Sequence, residues 1–98
     1  MTEDNLHKTI RQEMINLLLQ GPLTALELSQ LIRIPEKEVI RHLPHVAKSV
    51  AHNHKLAIIP AHCEACGFLF AKRTRFSCPS RCPRCKSQRI TTPIFSIR

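Results

Sequence analysis

Four of the five cysteines stand in two pairs, Cys63-Glu64-Ala65-Cys66 and Cys82-Pro83-Arg84-Cys85, with 15 residues between the pairs. C-x2-C-x15-C-x2-C is the spacing of a four-thiolate metal site. Zn²⁺ takes tetrahedral soft ligands at about 2.3 Å from each sulfur. Two residues between cysteines let a tight turn aim both sulfurs at one ion, and the amides of that turn offset the thiolate charge. Gly67 suits the positive φ such a turn needs after its second cysteine, and Pro83 pre-sets the second turn. One structural zinc held by Cys63, Cys66, Cys82 and Cys85 is therefore expected. Iron in the same four-sulfur geometry is the alternative. A shell of four thiolates leaves no open coordination position, so a catalytic metal is not expected.

Cys78, four residues before Cys82, is left over, because recruiting it would break a C-x-x-C pair. His62 adjoins Cys63, and its ring is expected to point away, since neighbouring residues of an extended chain face opposite sides. A single C-x-x-C could serve as a redox dithiol, but two matched pairs argue against it.

The elements that must position these groups can be read outward from them. The chain has 98 residues, 43% of them hydrophobic, with no Trp or Tyr and four Phe. The core must be aliphatic and modest, so a metal site would stabilise the fold materially. The N-terminus lacks a basic run followed by an apolar stretch, and no apolar segment approaches the ~18 residues needed to span a bilayer. A cytoplasmic protein with no membrane contact is expected, and five cysteines there favour metal binding over disulfides.

Residues 2–20 read as a helix capped by Thr2, with Glu3 and Asp4 at the positive end of its dipole. Leu6, Ile10, Met14, Leu17 and Leu18 form its apolar stripe, and Gly21-Pro22 stops it. Thr24-Ala25-Leu26-Glu27 is a capping box, with a hydrophobic staple from Leu23 to Leu28. In the second helix Leu28, Leu31 and Ile32 face inward, and it ends near Arg33. Pro35, in a first-turn position, opens a third helix running to about His52. Val39, Leu43, Val46 and Val50 line one side. Lys37, Arg41, His45, Lys48 and His52 line the other, within about 80° of arc. Pro44 is expected to kink or divide this helix. Beyond it, Lys55 to Ala61 reads as a strand. Short strand candidates follow at Phe68–Ala71 and Arg89–Thr92, and a final strand runs from Pro93 to Arg98.

The charge is +8 and uneven. Residues 1–59 carry seven Lys/Arg against six Asp/Glu, and residues 60–98 carry eight against Glu64 alone. The second part is thus +7, which points to a polyanionic partner, nucleic acid first. A solvated basic surface is the plainer reading. No Gly-rich phosphate loop, paired carboxylates or Ser/His/Asp grouping supports an enzyme. The scarcity of aromatics disfavours single-strand binding by base stacking.

Three helices followed by a strand match a winged helix-turn-helix, whose third helix enters the major groove. The expected fold is α+β: a three-helix winged helix-turn-helix over residues 1–59, then a four-cysteine zinc ribbon and closing strand over 60–98 in the wing region, as one composite unit. Lys37, Arg41, His45 and Lys48 would then face DNA, with Arg41 able to fork onto guanine. The plainer reading is a solvated helix face.

Leu17-Leu18-Leu19-Gln20-Gly21-Pro22-Leu23-Thr24-Ala25-Leu26-Glu27-Leu28 looks like the opening of prokaryotic winged-helix regulators. More specific are Pro60-Ala61-His62-Cys63-Glu64-Ala65-Cys66-Gly67-Phe68-Leu69-Phe70 and Pro79-Ser80-Arg81-Cys82-Pro83-Arg84-Cys85-Lys86-Ser87. Together these segments resemble a family of small prokaryotic transcriptional regulators in which a helix-turn-helix is fused to a rubredoxin-like zinc ribbon. The resemblance implies that the ribbon replaces a conventional wing between the last two strands, and that the four ligands are Cys63, Cys66, Cys82 and Cys85. Cys78 departs from the family pattern.

Two functions follow as expectations. In the first, a DNA-binding regulator, the third helix reads the major groove while Lys72, Arg73, Arg75, Arg81, Arg84 and Lys86 of the ribbon grip the backbone. Double-stranded DNA is the partner, and a homodimer would lengthen the site read. In the second, the ribbon is an adaptor that docks on a protein or RNA component of the transcription or translation machinery. Electron transfer through bound iron is a third possibility.

Overall fold

The computed structural model describes residues 3–71 and 76–98. Thr2, read as the first helix cap, and Lys72, Arg73 and Arg75 lie outside the described residues. The elements run α1 (Glu3–Gln20), β1 (Leu23–Thr24), α2 (Ala25–Ile32), α3 (Glu36–Val50), β2 (Leu56–Ile59) and β3 (Ile94–Ile97). The chain is a mixed α and β domain: three helices packed on a small sheet, with a cysteine-bearing ribbon inserted between β2 and β3.

Local chemistry accounts for the helix ends. The Glu27 amide donates to Thr24 Oγ1 at 3.1 Å and the Thr24 amide to Glu27 Oε1 at 2.9 Å, which completes the capping box. Arg33 ends α2 in the left-handed conformation, φ 65°, and donates its amide to the Ser29 carbonyl. Pro35 stands one place earlier than expected. It is the N-cap of α3, with ψ 145°, not a first-turn residue, and its carbonyl accepts from the Glu38 and Val39 amides.

Pro44 does not divide α3, which is continuous from Glu36 to Val50. The ring is exposed, the missing donor costs one bond to the Ile40 carbonyl, and Val39, Leu43, Val46 and Val50 are all buried on the opposite side. The helix stops at Val50, short of His52, where the Ala51 and Asn53 amides turn to carbonyls three residues back, those of Lys48 at 3.3 Å and Val50 at 3.2 Å.

The sheet order is β1-β3-β2 and both pairings are antiparallel. Leu56 pairs with Ile97 and Ile59 with Ile94, so β2 and the closing strand meet at the ribbon's base. Leu23 and Thr24 pair with Phe95 and Ile94, an edge strand that a two-residue stretch gives no periodicity to reveal. Phe68–Ala71 and Arg89–Thr92 are not strands. They contribute only the isolated bridges His62–Leu69 and Cys63–Ile90, because the turns around the cysteines take up the backbone groups a longer ladder would need.

The core gathers Met14 and Leu18 of α1, Ala25 and Leu28 of α2, Val39, Leu43, Val46 and Val50 of α3, and Phe95 and Ile97 of β3. Phe95 is fully buried at its centre. Two residues expected inside are exposed: Leu6 on the first turns of α1 and Leu31 near the end of α2. No helix among the described residues is long and apolar enough to cross a membrane.

Candidate metal centre and basic face

Two matching turns build the centre. In the first, the Gly67 amide donates to the Cys63 carbonyl and the Cys63 amide to the Phe68 carbonyl, each at 2.9 Å. In the second, the Lys86 amide donates to the Cys82 carbonyl and the Cys82 amide to the Ser87 carbonyl, again at 2.9 Å. The residue four places after each leading cysteine has a positive φ, 79° at Gly67 and 63° at Lys86. The ribbon's other contacts hold these turns in register. Glu64 donates its amide to the Arg89 carbonyl at 2.8 Å, and Thr91 to the His62 carbonyl at 3.0 Å. Arg84 Nη2 donates to the Cys66 carbonyl at 2.8 Å, tying the second turn to the first.

The four sulfurs of Cys63, Cys66, Cys82 and Cys85 all lie within 4.8 Å of one another. Cys63 Sγ is 3.5 Å from Cys85 Sγ, and Cys66 Sγ is 3.6 Å from Cys82 Sγ. A tetrahedron with metal–sulfur bonds of about 2.3 Å has edges of about 3.8 Å, so the cluster already has the size of a zinc shell. Cys63 and Cys82 are buried, Cys66 half-buried and Cys85 exposed.

The electrostatics suit a cation. Burial raises the Cys63 thiol, but the Cys66 and Ala65 amides and the neighbouring sulfurs outweigh it and lower it overall. Cys66 is lowered, first by the Phe68 amide. Cys82, raised by burial, is lowered overall by the Cys85 and Arg84 amides, which stand 3.5 and 3.4 Å from its sulfur. At Cys85 the Ser87 amide lowers the thiol, but Cys63, burial, Cys66 and Cys82 together push it up to about 12. Three thiolates thus oppose ionisation of the fourth, and a divalent cation supplies the charge that releases its proton. The protein's zinc ribbon holds one structural zinc.

His62 is exposed, with Nδ1 3.2 Å from Thr91 Oγ1, and stands apart from the sulfur cluster. Cys78 is also outside it, its thiol donating toward the Pro79 carbonyl at 3.5 Å.

Of the basic positions, Lys37, Arg41, His45 and Lys48 are all exposed along α3, and Arg81, Arg84 and Lys86 are exposed on the ribbon. Two are engaged: Arg41 Nη1 lies 3.2 Å from Glu38 Oε1, and Arg84 holds Cys66. Sequence reasoning overlooked His42. It is only 4% exposed, and its Nδ1 accepts from Arg11 Nε at 3.1 Å. The signal was present, since position 42 falls three after Val39 and four before Val46, on the inward face.

Comparison with known proteins agrees with this architecture. Residues 9–58 match the family model described as PF0610-like, N-terminal, and residues 60–98 match the PF0610 rubredoxin-like zinc beta-ribbon domain. The chain is similar to protein PF0610 from Pyrococcus furiosus, solved by solution NMR. The TM-score is 0.78 at 34% identity, over 93% of this chain and 90% of that one. No curated protein matches.

Proposed function

The chain belongs to the PF0610-like family, and on that footing we propose that it is a DNA-binding transcriptional regulator, not an enzyme, built as a winged helix-turn-helix with its zinc ribbon in the wing region. The observation that carries this reading is the two-sidedness of α3. Its inner face is sealed by Val39, Leu43, Val46 and Val50, while Lys37, Arg41, His45 and Lys48 stand in solvent on the other. A helix fixed in this way can enter a major groove about 12 Å wide. The ribbon's place between paired strands β2 and β3 supports the wing assignment, and its cations add backbone contacts.

Arg41 reaches DNA by exchanging Glu38 for a base edge or phosphate. An exposed pair of this kind is worth at most about 1 kcal/mol, so the exchange is inexpensive. Fluorescence anisotropy of zinc-loaded protein on pooled genomic duplexes across a salt series tests the reading. Salt-sensitive binding is expected, with the log–log slope steepening by about 0.9 for each neutralised phosphate and a subset of fragments retained at higher salt. Arg41→Ala should weaken those fragments more than random duplex. Equal loss on both would remove the base-reading role, and no binding near physiological salt would overturn the regulator.

The exposed ribbon cations Arg81 and Lys86 would serve equally in the adaptor reading, in which the ribbon docks on a protein or RNA component. A defined protein partner that survives nuclease treatment, with no duplex affinity, would move the assignment there.

A further inference from the structure

We propose that His42, Arg11 and His7 form a proton-sensitive latch that fastens α3 to α1. His42 is the one buried imidazole among the described residues. Its Nδ1 accepts the Arg11 Nε–H at 3.1 Å across 31 residues of sequence, which places the ring's own proton on Nε2. The His7 ring packs edge-on against it, centroids 5.3 Å apart and planes at 70°. His7 and Arg11 are one turn apart on α1, so both grip the same ring.

A second proton on His42 must take the Nδ1 lone pair that Arg11 now uses. Two donors would then face each other, and a new cation would sit beside a guanidinium on a ring that is itself buried. Burial first, then Arg11 and His7, hold His42 below the ordinary imidazole range, with His45 acting in the same sense and Glu38 in the opposite one. Glu38, one turn earlier on α3, is the available counter-charge, but its carboxylate is engaged by Arg41. From the other elements packed on α3 there is little to add. The only charged residue of α2 is Glu27, held by Thr24, and β2 has none. Acid should therefore open the contact instead of tightening it.

The latch stands on its own geometry. Only its consequence, that acid loosens the helix presenting Lys37, Arg41 and Lys48, rests on the DNA-binding reading. The test uses no DNA, so the two can fail separately.

Labelled, zinc-loaded full-length protein is followed by NMR from about pH 7.5 to about pH 5.5. The Arg11 Nε–H resonance should be lost with the same midpoint as the His42 ring titration, below the ordinary value of about 6.5. Protection factors of the Val39, Leu43 and Val46 amides should fall about tenfold over the same range. His42→Gln, whose amide oxygen can accept from Arg11 without titrating, should keep both the resonance and the protection. Should that variant fail to fold, Arg11→Gln gives a second reading, a raised His42 midpoint. An Arg11 resonance indifferent to His42 titration, a fall in protection shared by His42→Gln, or an unmoved midpoint in Arg11→Gln would overturn the latch.

Discussion

Gly67 and Lys86 occupy the same place in the two metal-binding turns: each follows its leading cysteine by four residues, has a positive φ, and donates its amide to that cysteine's carbonyl at 2.9 Å. Gly67 takes this conformation freely, whereas Lys86 takes it against the steric preference of an L side chain.

Exchanging the side chains at these two places should therefore have opposite effects. A Cβ at Gly67 would meet nothing within 4 Å, so Gly67→Ala costs only backbone strain, about 1–2 kcal/mol, and zinc affinity should drop about five- to thirtyfold. Lys86→Gly should relieve similar strain, partly offset by the added freedom of the unfolded chain, and raise affinity a few-fold. Competition with a chelator of known affinity measures both.

Pro44 predicts a stabilising change. Pro44→Ala restores a donor to the Ile40 carbonyl in the interior of α3 at an exposed position. A proline in a helix interior costs about 3 kcal/mol relative to alanine, so a gain of about 1–3 kcal/mol in urea unfolding is expected, with the slope unchanged. A loss would mean that the turn around Pro44 is shaped by something other than the missing bond.

The capping box at the start of α2 should matter to the whole fold, because Leu23 and Thr24 also pair with β3. Thr24→Ala removes the oxygen that accepts from Glu27 and should cost about 1 kcal/mol. Thr24→Ser keeps the oxygen and should cost less. Thermal unfolding of the two variants side by side checks the difference.

His42 gives stability a pH dependence of known sign. Its folded pKa is depressed, by burial first and then by Arg11 and His7, so the unfolded chain binds the proton more readily. The contribution is fully present above about 6.5, the unfolded value, and is lost as pH falls below it toward the folded pKa. Zinc thiolates also weaken in acid, so the quantity to read is the difference between wild type and His42→Gln in urea midpoint at two pH values. The wild type should lose more between neutral and mildly acidic pH, and parallel losses would show that His42 plays no part.

Much of this was legible in the residues, and what was not has identifiable causes. The Thr24–Glu27 box and the buried stripe of α3 follow from short-range spacing, which reports directly on local geometry. Strand β1 was invisible because two residues carry no period and its partner β3 lies at the far end of the chain. The exposure of Leu31 and the engagement of Arg41 by Glu38 depend on which neighbours the fold supplies. At the metal centre the C-x2-C spacing picked out the four cysteines whose sulfurs the fold gathers. The strained Lys86 went unnoticed because lysine, unlike Gly67, does not advertise a positive φ. His42 was overlooked because a polar residue on an apolar face shows its role only once Arg11 is found opposite.

Four sulfurs sharing one ion hold the ribbon together, and metal content per chain tests that most directly. Elemental analysis of wild type, Cys78→Ser and Cys82→Ser, purified identically, should give one zinc, one zinc and substantially less than one, with the third protein losing the ribbon's order. A red, reducible protein carrying iron, a Cys78→Ser variant without metal, or a Cys82→Ser variant that keeps a full complement would contradict it.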